Sequence, residues 1–239
     1  MENVGDETYK IKKGDFVLLE YTGYIKDTNE IIDTTNEEVA KKNKIFRPEN
    51  RYGPMLVIVG ENWVIKGLDE SLIGRTVNEE YEIDIPPEKG FGIRDSKKIK
   101  IFTIKRLREA GIKGELSPGK LIEYNNSPAI VRAVVSGRVM LDFNPPLAGK
   151  NLKYKVKIVD IIKDRNRKIM EIIKYINPEY ANFINISYSY KTKILRLKCK
   201  DETIKNPQLH IYKNQIIEYI FKYFPKINKI EFIEEVIRK

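Results

Sequence analysis

The chain has 239 residues, 41% of them hydrophobic and 10% aromatic, with a formal net charge of +10. This is enough for one large domain or two to three small ones with a real core, and no stretch approaches the roughly 18 apolar residues of a membrane span. The acidic start MENVGDETYK lacks an apolar leader region, and the single Cys199 leaves no internal disulfide, so a soluble cytoplasmic protein is expected.

Residues 14–33 form β-rich runs broken by a turn signal at Asp27-Thr28-Asn29. Residues 36–54 are polar and read as a long surface excursion with one helical turn, and MLVIVG (55–60) reads as a short buried strand. Val64, Leu68 and Leu72 then share one face of a short helix, with Asn62 as the expected N-cap and Gly74 as its stop. Gly67 costs that helix about 1 kcal/mol relative to alanine, which predicts a close approach by some other group. Residues 79–92 read as a strand entering a loop rich in proline and glycine.

From residue 93 the character changes. Residues 93–139 carry 11 basic and 4 acidic side chains, a net +7, and read as a small all-β module with turns at Asn125-Asn126 and Ser136-Gly137. Residues 144–162 return to long strand patterning. The tail, 164–239, is again +7, with 16 basic and 9 acidic side chains, and the remainder of the chain is acidic at −4. In the tail an isoleucine stripe (Ile169, Ile172, Ile173, Ile176) stops at Asn177-Pro178, and two alternating strands follow. Asn206-Pro207 is the expected start of a second helix through Ile216, Ile217, Ile220, Phe221 and Phe224, and KIEFIEEVI closes the segment as a strand. That pattern predicts a small α+β domain, and the charge asymmetry predicts modules with different partners.

Several familiar chemistries are absent. The sequence has no GxxxxGK[ST], HExxH, CxxC or GxSxG, and His210 and Cys199 are its sole histidine and thiol. No metal site and no cofactor are expected.

The ordered set LEYTGYIKDTNEIIDTT, VIVGENWVIKGLDESLIG, IPPEKGFG and NPPLAGKNLKYKV resembles the FKBP-type peptidyl-prolyl cis-trans isomerases, over residues 10–92 and 140–162. The resemblance implies an α+β fold, with a half-open antiparallel sheet wrapped on a short helix around one apolar pocket. Carried over position by position, it implies catalytic roles for Tyr21, Asp33, Ile65, Phe91 and Tyr154, and substrate binding by Ile32, Met55, Val57, Val64, Leu68 and Leu147. In this reading the Ile65 backbone N–H anchors the substrate, and Asp33, hydrogen-bonded near Tyr21, forms a polar wall. Ile32, Leu68 and Phe91 depart from the usual phenylalanine, tryptophan and tyrosine, and Trp63, one residue before the Val64-Ile65 pair, is not assigned as the floor. Taken singly, Tyr21, Val57 and Tyr154 would be core strand residues and Asp33 a turn or cap residue; their order carries the pocket.

An insertion between the GFG and NPPLAG elements resembles the insert-in-flap arrangement of SlyD-like members, in which the inserted module binds unfolded chains. Its expected apolar groove comprises Leu121, Ile122, Tyr124, Ile130, Val131, Val139 and Leu141. Pro145 replaces the usual histidine of that element, and one histidine and one cysteine cannot supply the SlyD metal-binding tail. The segment 164–239 resembles the extra C-terminal domain of long archaeal members. The resulting division is an isomerase domain (1–92 and 140–163), an inserted module (93–139) and a C-terminal domain (164–239). The implied partners are unfolded or nascent polypeptides with X-Pro bonds and no membrane; ribosome association and a homodimer through the C-terminal domain stay open. Two other readings remain beside the isomerase: a catalytically weak holdase chaperone, and a ribosome- or RNA-associated factor using basic side chains with Tyr188, Tyr190, Tyr212 and Tyr219.

Overall fold

β1 (Phe16–Ile25) and β9 (Leu152–Ile162) pair antiparallel along their whole length and form the spine of the first sheet. The other edge of β1 is shared, with β3 (Met55–Ile58) against residues 16–19 and β2 (Ile31–Thr34) against residues 22–24. β4 (Glu80–Ile85) adds to the far side of β9, which gives a five-stranded sheet. The structure, a computed structural model, describes residues 9–199 and 209–234; the expected helix start at Asn206-Pro207 lies outside them.

Period-2 alternation puts Val17, Leu19, Val57, Leu152, Tyr154, Val156 and Ile158 on one face, where they form a buried core with Leu68 and Leu72. The helix carrying Leu68, α2 (Lys66–Ser71), starts later than the expected Asn62 cap, and no side chain caps it. Asn62 instead adopts φ +58°, and its N–H donates to buried Asp69 (3.0 Å), which also accepts from Gly60 N–H (2.8 Å). A carboxylate from inside the helix therefore ties down the loop ahead of it. The close approach expected at Gly67 comes from the protein itself, since a Cβ there would lie 2.6 Å from Ile85 Cγ2.

Residues 99–142 form a separate four-stranded sheet, in the order β5 (Ile99–Thr103), β8 (Arg138–Asp142), β7 (Ser127–Val135), β6 (Leu121–Tyr124). Its turns take left-handed residues at Asn125, Asn126, Ser136 and Gly137, at the expected positions. A short helix, α3 (Ile104–Glu109), which the strand reading of this segment did not contain, packs Leu107 onto one face of the sheet. Where the sheet meets the rest of the chain, Asp142 is 1% exposed. It bonds Arg94 and Arg132 and accepts from both the backbone and the side-chain nitrogen of Asn144, while Asn144 exchanges two bonds with the Asp95 backbone. Burial pushes the Asp142 carboxyl upward, but the Asn144 and Arg132 hydrogen bonds and the Arg94 charge outweigh it and hold it below its ordinary range.

The tail folds as α4 (Arg165–Ile176), α5 (Pro178–Ala181), a β10 (Ile184–Ser189) and β11 (Ile194–Cys199) hairpin, α6 (Leu209–Tyr223) and β12 (Lys229–Glu234), which runs parallel to β11. Its core does not stop at residue 163. Phe16, Leu56, Ile58 and Ile162 from the opposite face of the first sheet are buried in one cluster with Ile169, Ile172, Ile216 and Ile220. The bulge that slips the β1–β9 register between Leu18 and Leu19 puts Ile162 on that face.

A chain ended after residue 163 is expected to expose this second face, to bind a hydrophobic dye such as ANS and to melt well below the full chain; parental melting without dye binding would refute the shared core. Asp142→Asn is expected to cost about 1–3 kcal/mol at pH 7, discounted for the partial exposure of both arginines. Because the folded carboxyl sits below its unfolded value, this stability is present above about pH 4 and is lost as pH falls through the depressed folded value. The gap in denaturation midpoint between variant and parent should therefore close in acid.

Candidate active site

The open end of the first sheet holds a cavity of about 450 Å³ on the face that packs against α2. Ile32, Asp33 and Tyr154 line it from the strands, Phe91 from the loop after β4, and Leu147 from the loop before β9. Phe46, Arg47, Asn50 and Tyr52 close the side. Tyr154 reaches its place because its cross-strand partner is Gly23, where a Cβ would come 2.6 Å from the Tyr154 ring. Glycine at that point lets the ring lie against the strand.

Thr34 and Lys44 line the cavity as well, and its one carboxylate, Asp33, is held in a pair. Tyr21 Oη donates to Asp33 Oδ2 at 2.8 Å, and the Tyr21 and Tyr154 rings meet at 5.7 Å, tilted by 52°. Burial first, and then the Asp33 charge, push both phenols far above the ordinary tyrosine range. Both are thereby held in the neutral form, and Tyr21 donates its proton to Asp33. The arrangement provides an apolar seat, one fixed carboxylate and neutral donors, with no activated nucleophile among the described side chains lining it.

Of the residues singled out from sequence, Ile32, Asp33, Phe91, Leu147 and Tyr154 line this cavity, and Tyr21, which lines the larger neighbouring groove, reaches it through its bond to Asp33. Met55, Val64 and Ile65 are half-buried against the same core as Tyr154. Val57 and Leu68, expected to contact substrate, are 0% and 1% exposed. Val57 lies opposite Val17 on the inward alternation of β3, and α2 turns Leu68 into the sheet, so both support the pocket from beneath. The side wall was missed. Residues 36–54 read as a surface excursion, and the expected helical turn is α1 (Glu37–Lys42), but the segment also holds a Phe46–Tyr52 stack at 5.3 Å and a bond from Arg47 N–H to Tyr52 Oη (3.0 Å). Two aromatic residues in an otherwise polar run were the available signal. Asp69 was missed too, because nothing local marks its role.

A larger open groove of about 810 Å³ includes Glu20, Thr22, Glu80, Glu82, Lys155 and Lys157. Two of its carboxylates are engaged, Glu82 with Lys153 and Lys155 and Glu80 with Lys157, and Tyr21, Tyr52, Tyr81 and Val156 also line it.

An apolar seat beside one oriented carboxylate, with no activated nucleophile among the described side chains lining it, suits a substrate that is held and turned without a bond being broken. The FKBP-type peptidyl-prolyl cis-trans isomerase family model matches residues 7–107. A short-type peptidyl-prolyl cis-trans isomerase of Methanocaldococcus jannaschii is 42% identical over 151 residues, 63% of this chain and 94% of that one. SlyD proteins of Helicobacter pylori (30% identical, 44% of this chain and 58% of that one) and Aeromonas hydrophila (28% identical, 61% of each) are also similar. The chain belongs to the FKBP-type peptidyl-prolyl cis-trans isomerase family. It is a peptidyl-prolyl isomerase with SlyD-like relatives, and its substrates are polypeptides containing proline. More than a third of it has no counterpart in the M. jannaschii relative. Among the described residues no helix is long and apolar enough to cross a membrane.

Asp33→Leu is expected to lower turnover on a proline tetrapeptide about tenfold or more while leaving the melting temperature near the parent's. Because the pocket phenols do not ionise in the ordinary tyrosine range, turnover should show no phenolic loss up to about pH 10; an alkaline fall that Tyr21→Phe abolishes would contradict this.

Proposed function

We propose that the chain is an isomerase that also holds its clients, with catalysis in the cavity at Tyr21, Asp33 and Tyr154 and client capture on the sheet of residues 99–142. Rotation about an X-Pro bond sacrifices amide resonance against a barrier of about 18–20 kcal/mol. The twisted amide is less charge-separated than the planar one, so an apolar seat favours it. Ile32, Phe91, Leu147 and Tyr154 seat the prolyl ring, and the Ile65 N–H anchors the chain. Asp33, oriented by Tyr21, fixes the polar side on which the preceding carbonyl swings.

The observation that carries the holding role is an uncovered apolar sheet face. Val131, Val139 and Leu141, expected in the groove, are 0% exposed, and Tyr124 is buried and Ile122 packed with them beneath α3. These residues hold the module together. The opposite face is open, with Ile101, Leu121 and Val135 more than 60% exposed, and Ile130 pairs with Leu121 on that side. The face was misplaced because α3 covers the side that strand alternation alone leaves ambiguous, and because a bulge between Val131 and Ala133 flips β7 midway. Open apolar area of this kind fits extended, unfolded segments. Both connections to the sheet leave from beside pocket residues, at Phe91 and Leu147, and Gly149 N–H bonds Gly92 O (2.8 Å) across them. A client held on the sheet therefore meets the pocket at high effective concentration. We assign residues 1–92 and 143–163 to the isomerase unit, moving its second part from the expected 140 because β8 (Arg138–Asp142) belongs wholly to the inserted sheet, the sheet segment between them to client binding, and 164–239 to a C-terminal domain of the long archaeal kind.

The combined substitution Ile101→Ser, Leu121→Ser and Val135→Ser should spare tetrapeptide turnover and slow catalysed refolding of a proline-limited protein about tenfold or more. Equal loss on both substrates would show that this sheet is part of the pocket and not a client-binding arm.

A further inference from the structure

Two segments beside the pocket are tied to the tail by polar contacts, the first at the edge of the shared core. The first tie runs through Trp63, immediately ahead of Val64 and Ile65. Its indole N–H donates to Tyr223 Oη of α6 at 3.0 Å, and its ring packs on Tyr175 (4.5 Å), Tyr219 (5.7 Å) and Tyr223 (6.3 Å). Lys222 of the same helix bonds Glu61 at 3.0 Å, and Asp69 holds the backbone of Gly60 and Asn62 from the other side. The short segment that delivers the Ile65 N–H is thus clamped between α2 and α6.

The second tie runs through Arg51, next to Tyr52 of the side wall. Its guanidinium donates to the carbonyls of Lys174 (2.8 Å), Tyr175 (2.6 Å) and Ile176 (3.4 Å), the last turn of α4. Those carbonyls have no partner within the helix, and a cation there also meets the negative end of the helix dipole. The loop that bears Phe46, Arg47 and Tyr52 is therefore pinned to the tail one residue from where it lines the cavity. Tyr175 sits at both ties, contributing its ring to Trp63 and its carbonyl to Arg51.

We propose that the tail is a brace that sets the isomerase pocket, with Trp63 and Arg51 as positioning residues acting through Ile65 and Tyr52. The proposal rests on the pocket reading given above. A merely structural tail would need only the apolar cluster around Phe16 and Ile162. These two polar ties instead hold the loop that lines the cavity and the segment that packs Val64 and Ile65 on the same core as Tyr154, and a displacement of about 1 Å there is enough to change turnover.

The test uses full-length protein and a proline tetrapeptide. Tyr223→Phe keeps the ring but removes the acceptor. It should shift the emission of Trp63, the sole tryptophan, and lower kcat about three- to tenfold. Arg51→Ala should leave that emission in place and raise KM, and Arg51→Lys should restore part of it. Melting temperatures within a few degrees of the parent's would show that the loss is one of placement and not of folding. Parental kcat and KM in both variants, with the emission of Tyr223→Phe shifted, would overturn the brace, as would losses that only follow the folded fraction. Asp33→Leu in the same assay separates the two readings. If it too keeps parental turnover, the pocket assignment fails and the brace falls with it; if it is inactive while both tie variants are unaffected, the brace alone fails.

Discussion

Where β1 runs against β9, the register slips by one residue between Leu18 and Leu19, and both hydrophobic cores depend on that slip. A strand presents alternate residues to its two faces, so a one-residue shift exchanges them. On one side of the slip β9 turns Tyr154, Val156 and Ile158 toward α2 and the pocket. On the other side it turns Ile162 toward α4 and α6. One strand therefore serves two layers, and the sheet has no free face at the end where the tail begins. The C-terminal elements are accordingly the second cover of the first sheet, and the isomerase unit is part of a three-layer body.

The end of the sheet at Tyr154 is built differently. Its apolar part is Ile32, Phe91, Leu147 and the Tyr154 ring, set beside the polar side chains of Asp33, Lys44, Arg47 and Asn50. The one carboxylate, Asp33, is oriented by a donor that does not ionise. Ion pairs occur both within units, as Glu82 with Lys153 and Lys155, and where segments are joined, as Arg94 with Asp142 at the base of the inserted sheet and Lys222 with Glu61 at the tail.

Much of this was legible in the sequence, for physical reasons that can be named. The strands of the first sheet, the turns at Asn125-Asn126 and Ser136-Gly137, and the isoleucine stripe of α4 follow from periodicity and from residues that tolerate left-handed backbone. Gly67 was read as a point of close approach, and Ile85 fills it. Other features have no local signature. The Trp63–Tyr223 bond spans 160 positions, and the Arg51 cap on α4 joins a polar loop to a helix more than a hundred residues later. The Asn62 cap failed because Asp69 competes for the same backbone and holds it left-handed. The open face of the inserted sheet was misplaced because alternation tells which residues share a side, not which side α3 will cover.

The chain order of the two sheets sets a schedule for synthesis. Every strand of the inserted sheet lies within residues 99–142, so it can fold on contacts local to that span once the segment has emerged. The spine of the first sheet joins residue 16 to residue 162 and must wait for β9, the last of its strands to be made. The tail cluster, which needs Phe16 and Ile162 together, closes later still. While it is being made, the protein therefore presents a folded arm ahead of an unfinished body, in which β1 can pair with β2 and β3 but lacks its longest partner.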